Sequence, residues 1–573
     1  MEQNTRQVIF TNEARCRDCY RCVRVCPIKA IKVEGNQARV HDERCIACGT
    51  CVRECPQGAK TYRKDVGVAD EILKSGVFVA ASIAPAFAGV FEEWEYFRLP
   101  AALRRLGFRY VAETAIGAYM VARDTAVAVK DGARPHICTA CPAVVNYVEK
   151  YEKDKVPYLV PIVSPMMAHA RHIKARMGMT AKVIFIGPCA AKKTEAERPQ
   201  LKGLIDCVLT FEELEQLFEE RGIDLGTCEE SSFDEEPLGL ARLFPVEGGA
   251  AATSQMCTDV LDDRLMFVSG FEEFKECLKS VGGKGKAPVI EPLLCPQGCV
   301  NGPGIRREGN PFERRSRVIR YARGRKPVDG PEPAVLDLTT SFQSRPVLGD
   351  VAISEEQVRT VLEKAGKARL EQQLNCGACG YPTCRDQAVA VVRGMAGIEM
   401  CIPFMRRLAE QRSDRIMETS PNGIVVLDQH LNILNFNPAF STMFKVGPSI
   451  VGEHISRLLD PDPFEKVASG QLEIADDPRE YPQYGVVLRE VVYALRAEHQ
   501  YVGMFINITS REETTERLRK VKDETVTQAK ELHAHQIEMA KNFANFLGEY
   551  TAKGEQLVNK LLEAVNDKDK EKG

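Results

Sequence analysis

The strongest constraint on this chain is a cysteine run written twice near its N-terminus. Cys16, Cys19, Cys22 and Cys26 followed by Pro27 read C-x2-C-x2-C-x3-C-P, and Cys45, Cys48, Cys51 and Cys55 followed by Pro56 repeat it. Three cysteines two residues apart wrap one iron-sulfur cubane on a tight loop, while the fourth, carried away by its proline, ligates a neighbouring cubane. The pattern predicts one 4Fe-4S cluster on Cys16, Cys19, Cys22 and Cys55 and a second on Cys45, Cys48, Cys51 and Cys26. A pair of structural zinc sites is the alternative, but zinc takes four ligands at one centre and does not require an interleaved, proline-terminated spacing.

At 573 residues the chain exceeds a single hydrophobic core and must be modular. Its 77 Lys+Arg against 80 Asp+Glu, net charge -3, give no electrostatic reason to bind nucleic acid or an anionic membrane. The opening Met1-Glu2-Gln3-Asn4 lacks the features of a secretory signal, and no apolar run is long enough to span a bilayer, so a cytoplasmic location is expected. In a reducing compartment, 21 cysteines in tight local spacings argue for metal ligation over a disulfide framework.

Residues 1–64 resemble bacterial two-cluster ferredoxins, which implies an electron conduit rather than a site of chemistry. From Gly76 to Arg320, strand-like runs such as Val183-Ile184-Phe185-Ile186 alternate with helical ones, predicting α/β layering. Three loops here, Thr139-Ala140-Cys141-Pro142, Pro188-Cys189-Ala190-Ala191-Lys192-Lys193-Thr194-Glu195 and Glu291-Pro292-Leu293-Leu294-Cys295-Pro296-Gln297-Gly298-Cys299, resemble the signature loops of the FeFe hydrogenase large subunit. The resemblance implies an H-cluster: a 4Fe-4S cubane on Cys141, Cys189, Cys295 and Cys299, with Cys299 bridging to a diiron centre that bears carbon monoxide, cyanide and a dithiolate. Lys192 matches the lysine that serves a cyanide, Glu195 the carboxylate that follows it, and Pro85 a pocket proline beside a cyanide.

The sequence departs from that family where protons move. The relay cysteine before the first cubane ligand is Ala140, the carboxylates that continue the relay align with Thr125 and Ala128, and two pocket methionines are replaced by Gly187 and Leu293. An alanine exchanges no proton, so slow turnover is expected. Cys138 lies close enough in sequence to be weighed as a displaced relay, but its side chain starts two residues away. It is grouped with Cys207, Cys228, Cys257 and Cys277 as carrying no assigned role.

Beyond a Pro/Gly-rich linker, Cys376, Cys379 and Cys384 with Cys401 resemble the small 4Fe-4S domain of anaerobic redox enzymes and predict a third accessory cluster, zinc again being the alternative. From Ser413 to about Ser510 five short strand runs, including 485–488 and 491–494, resemble a PAS domain. Neither His430 nor His454 has the context of a haem ligand. Leu518, Val521, Ala529, Leu532, Ala540, Phe543, Phe546 and Tyr550 recur at helical intervals in a charged tail.

The expected fold class is therefore multidomain α+β and α/β: a two-cluster ferredoxin (1–64), an FeFe hydrogenase H-cluster domain (65–325), a linker (326–350), a small 4Fe-4S domain (351–412), a PAS domain (413–510) and a signalling or coiled-coil helix (511–573). The resemblances imply a sensory hydrogenase. Dihydrogen, ferredoxin or another electron carrier, diiron-site maturation proteins, and a regulatory kinase or phosphatase are the expected partners, with a homodimer and no nucleic acid or membrane. A catalytic ferredoxin-linked hydrogenase and a non-enzymatic iron-sulfur scaffold without the diiron centre are the alternatives.

Overall fold

The computed structural model describes residues 7–130, 134–256, 264–282, 288–324, 333–347 and 353–509, with short pieces of the tail. Cys257 and most of the helix expected over 511–573 lie outside the described residues. The chain divides into two compact units, residues 1–405 and 406–573.

The first unit opens with β1 (Ile9–Thr11), β2 (Ile31–Glu34), β3 (Gln37–Val40) and β4 (Lys60–Tyr62), paired antiparallel as β1 with β4 and β2 with β3. The β2–β3 hairpin turns through Gly35 and Asn36, both left-handed (φ 55° and 59°), the twist that matches a two-residue hairpin. Two five-residue helices, Arg21–Val25 and Thr50–Glu54, repeat one design: each follows a left-handed residue, carries one cysteine inside and ends at another.

The central region is built on β5 (Val79–Ile83), β6 (Tyr110–Glu113), β7 (His136–Ile137), β8 (Lys182–Gly187), β9 (Cys207–Thr210), β10 (Leu265–Ser269) and β11 (Val289–Leu293). They form two parallel sheets, ordered β6-β5-β8-β9 and β10-β11-β7. Every residue of β5, β6, β9 and β11 is buried, which is why these strands read as nearly continuous apolar runs. The cysteine loops leave the carboxyl ends of β7, β8 and β11, where the loops of a parallel sheet gather a site.

The stretch expected as a free linker is partly a strap. Leu338 is buried, and the backbone N–H groups of Thr340 and Arg345 donate to Pro161 O and Glu149 O. Leu338 supplies the apolar anchor that the Pro/Gly composition around it obscured.

The second unit is an antiparallel sheet of β12 (Gly423–Leu427), β13 (Ile433–Phe436), β14 (Ile474–Tyr481), β15 (Val486–Leu495) and β16 (Gln500–Asn507), ordered β13-β12-β16-β15-β14. Phe440, Phe444, Phe464 and Phe505 fill its core. Two corrections apply. The runs 485–488 and 491–494 are one strand, β15, because Glu490 turns inward to accept from Tyr481 Oη at 2.8 Å. Acidic, proline-containing β14 was not anticipated; it is an edge strand, where Pro478 is tolerated.

Candidate iron-sulfur and dihydrogen site

The structure brings the N-terminal cysteines together in two interleaved sets. The charges of Cys55, Cys16 and Cys19 bear on Cys22, and those of Cys26, Cys45 and Cys48 bear on Cys51. Burial first, with the charge of Cys48 adding to it, pushes the Cys26 thiol up to about 11 and the Cys45 thiol up to about 12. Crowding buried thiols in this way is unfavourable unless iron takes them as thiolates. Backbone N–H groups already aim at sulfur: Ala30 at Cys26 Sγ (3.2 Å), Ala47 at Cys45 Sγ (3.3 Å) and Ala59 at Cys55 Sγ (3.2 Å). Among the described residues no group of three or more His, Cys, Asp or Glu side chains is placed to hold a single metal ion.

Cys141 caps the helix Pro142–Tyr151 after β7, and Cys189 sits between β8 and the helix Ala191–Ala196. Cys295 and Cys299 flank a turn after β11 in which Gln297 and Gly298 have φ 64° and 89°. A Cβ on Gly298 would stand 2.4 Å from Pro245 O, so the turn requires glycine. The four converge: the charges of Cys189, Cys299 and Cys141 all bear on Cys295. Burial pushes the Cys189 thiol up to about 12, with Cys141 adding to the shift. Cys48 is the ferredoxin-like cysteine whose charge meets Cys141.

Lys192 is 8% exposed and donates to Ser164 Oγ (2.8 Å), Glu195 Oε2 (2.8 Å) and Ala140 O (3.3 Å). Its charge reaches both Cys189 and Cys299, so the Lys192–Glu195 pair is an interior device and not a surface ion pair. Pro85 is buried at the end of β5. At Gly187 a Cβ would lie 2.7 Å from the Phe185 ring, which occupies the space a longer side chain would need.

A small cavity opens beside these cysteines, lined among others by Thr125, Cys138, Ala140, Phe244, Ser254 and Glu291. Ala140 and Thr125, two of the positions expected from the sequence to have lost relay groups, line one space, while Ala128 does not line it. Sequence reasoning quoted Glu291 but gave it no role. Burial pushes its carboxyl up to about 7, against two backbone N–H donors, Ala250 (3.1 Å) and Ala251 (3.0 Å). Burial also pushes the Cys138 thiol up to about 12, with the Glu291 charge adding to it, so Cys138 is a poor proton carrier near neutrality.

Cys376, Cys379, Cys384 and Cys401 surround a second small cavity. Lys367, 5% exposed, donates to Cys384 Sγ at 3.2 Å. Cys207 and Cys228 are buried core residues, and Cys277 contacts Met266. His430 and His454 are tied to local polar groups, Gln429 and Ser456. No helix among the described residues is long and apolar enough to cross a membrane.

The profile of the iron only hydrogenase large subunit, C-terminal domain, matches residues 77–303, a 4Fe-4S dicluster profile 8–56, an Fe-S cluster profile 372–403 and a PAS profile 411–478. The chain is 30% identical over 360 residues to the periplasmic [Fe] hydrogenase large subunit of Nitratidesulfovibrio vulgaris, covering 51% of this chain and 85% of that one. It is 26% identical over 276 residues to iron hydrogenase 1 of Clostridium pasteurianum (39% of this chain, 48% of that one). It is 25% identical over 315 residues to the cytosolic Fe-S cluster assembly factor NAR1 of Eremothecium gossypii (42% and 69%). The chain belongs to the iron-only hydrogenase large-subunit family and carries a C-terminal PAS domain. It spans about half the length of the Clostridium enzyme.

Proposed function

We propose that the chain is a sensory-type FeFe hydrogenase. It binds dihydrogen at a diiron centre bridged by Cys299 to a cubane on Cys141, Cys189, Cys295 and Cys299, converts it slowly and reversibly, and relays redox state through 4Fe-4S clusters to the PAS domain. The supporting observation is the buried Lys192, held against Cys189 and Cys299 beside a cavity whose relay position is Ala140. A buried ammonium needs anionic neighbours, and cyanide ligands would complete a set that Glu195 only begins. When bound, the diiron centre supplies the heterolytic chemistry of dihydrogen. The protein's part is to fix Lys192 through Ser164 and the Ala140 carbonyl, and to exclude water with Phe244, Val121 and Leu265. Ala140 holds no proton, which limits turnover.

On this reading the partners are a low-potential electron carrier, the diiron maturation proteins and, through the PAS domain and tail of a cytoplasmic homodimer, a kinase or phosphatase. The decisive experiment is infrared spectroscopy after maturation. Carbon monoxide and cyanide bands are expected; cubanes without those bands would sink the reading and leave a scaffold like the assembly factors. A second reading, a working ferredoxin-linked hydrogenase, is favoured by Glu291, a buried carboxyl titrating near neutrality in the same cavity.

A further inference from the structure

The third cysteine group packs on the ferredoxin-like segment. Gly380 (φ 94°) approaches the helix Arg21–Val25 so closely that a Cβ there would lie 2.8 Å from Val23 Cγ1, and Arg24 Nη1 donates to Ala378 O at 3.3 Å. Tyr381 fills the join. It is 3% exposed, shares one apolar core with Val23 and Cys26, and has Lys29 Nζ 6.0 Å from its ring centre. Cys379 and Cys26, one from each cysteine group, are members of that same core. Yet Tyr381 Oη is buried without a hydrogen-bond partner in the protein. A buried hydroxyl left so points to an acceptor the polypeptide does not supply, and sulfur of an iron-sulfur cluster is such an acceptor.

The neighbours of this join define a junction. Cys26 and Cys51 are members of the same core as Val23 and Tyr381, and Cys45, Cys48 and, from the central site, Cys141 and Cys189 pack against it. The other ferredoxin-like set is adjacent as well, since Cys22 belongs to that core and Cys16 packs against it. Each outer set reaches solvent through one exposed cysteine, Cys19 in the first and Cys376 in the third.

We propose that the electron path is forked. The cluster on Cys26, Cys45, Cys48 and Cys51 is a node serving the central site, one arm ends at the cluster of Cys19 and the other at the cluster of Cys376, and Tyr381 is the positioning residue that joins the second arm by donating its hydroxyl to cluster sulfur. This rests on the reading of the cysteine sets as 4Fe-4S sites given above. An electron passing along either arm oxidises one cluster and reduces its neighbour by one equivalent, with no bond made or broken, and its source is a low-potential one-electron carrier. The third cluster then samples the redox state of the node without standing in series with electron supply.

The test uses the full chain loaded with its iron-sulfur clusters and reduced with dithionite. Electron paramagnetic resonance is expected to show the third cluster magnetically coupled to a neighbouring cluster; an isolated signal, or a third site that takes no iron, overturns the fork. Tyr381→Phe keeps the shape and removes the hydroxyl. Its third-cluster potential is expected to shift negative with iron content unchanged, because donors to sulfur favour the reduced state; an unchanged potential overturns the role of Tyr381. The coupling measurement needs no variant, so misfolding of Tyr381→Phe leaves the fork open to refutation. Neither readout involves the diiron centre: coupling without infrared bands sinks the hydrogenase reading alone, and bands without coupling sink the fork alone.

Discussion

Glu291 shows what a single buried group adds to a site whose ligands were visible from the outset. On β11, four residues before Cys295, it faces the cavity that contains Ala140, and its carboxyl titrates near 7 because burial disfavours the charged form. A general acid or base is most effective when its pKa lies near the working pH, and such groups contribute about 10²–10⁴-fold. On the proposed function, the proton step of dihydrogen turnover is therefore expected to run through it. Glu291→Gln, in matured protein with unchanged infrared bands, is expected to lose about tenfold or more of the residual dihydrogen oxidation and to flatten its pH profile across neutrality. Equal rates and parallel pH profiles would show that protons leave by another route. The cysteines were legible in the sequence because a ligand run is a local property, a few residues on one loop. Glu291 was not, because its raised pKa comes from burial in a cavity shared with residues distant in sequence, such as Thr125 and Phe244, and a motif carries no record of burial.

At the scale of elements, the helices Ala115–Ala128 and Pro165–Met177 pack closely enough that a Cβ on Gly117 would meet Pro165 O at 2.3 Å. Into that seam the second helix brings His169, fully buried, hydrogen-bonded through Nδ1 to Ser82 Oγ (2.8 Å) with Thr114 beyond (2.7 Å). His172 lies 6.1 Å from it ring to ring, with Glu235 on the far side at 3.0 Å. Burial first, then the His172 charge, pulls His169 down to about 3, so it is neutral when folded. An unfolded histidine takes its proton near pH 6.5, and the folded one refuses it until far lower. The stability this neutral residue secures is complete above about pH 6.5 and falls by about 1.4 kcal/mol per pH unit below it, toward the folded value. Glu235, held down to about 2 by His172, Tyr110 and Arg176 against the effect of burial, loses its contribution only below its ordinary value of 4.5, so the range from about pH 6.5 to about pH 5 lies outside its window. Urea unfolding of His169→Gln is expected to lose about 1.6 kcal/mol less than the parent between about pH 6.5 and pH 5; parallel curves would refute the assignment. Elements themselves were unevenly legible. Apolar β5 and β8 announce themselves, whereas β14, with Asp476, Asp477 and Pro478, is held by its partner: Asp476 pairs with Arg489 across the ladder at 2.6 Å, a pairing no local pattern contains.

Across the whole molecule, metal and stability are distributed unequally. One apolar core joins the ferredoxin-like segment, the helix Pro142–Tyr151 and the third cysteine group, and Cys22, Cys26, Cys51 and Cys379 are themselves members of it. The core of the second unit, built on Phe440, Phe444, Phe464 and Phe505, contains no cysteine, and no cysteine follows Cys401 in the sequence. Iron removal therefore strikes one unit and spares the other. A structural metal site is worth about 10 kcal/mol or more, comparable with the whole net stability of a domain, roughly 5–15 kcal/mol, so the first unit without its clusters retains little cooperative structure. Thiols left behind in burial, such as Cys45 and Cys189, add to that loss because nothing then offsets their crowding. Calorimetry of the full chain before and after chelation under reducing conditions is expected to lose or broaden the transition of residues 1–405 while the transition of the PAS-containing unit keeps its temperature and enthalpy. Two transitions that shift together on iron removal would mean that the second unit depends on the clusters for its own stability, and the separation of cores inferred here would fail.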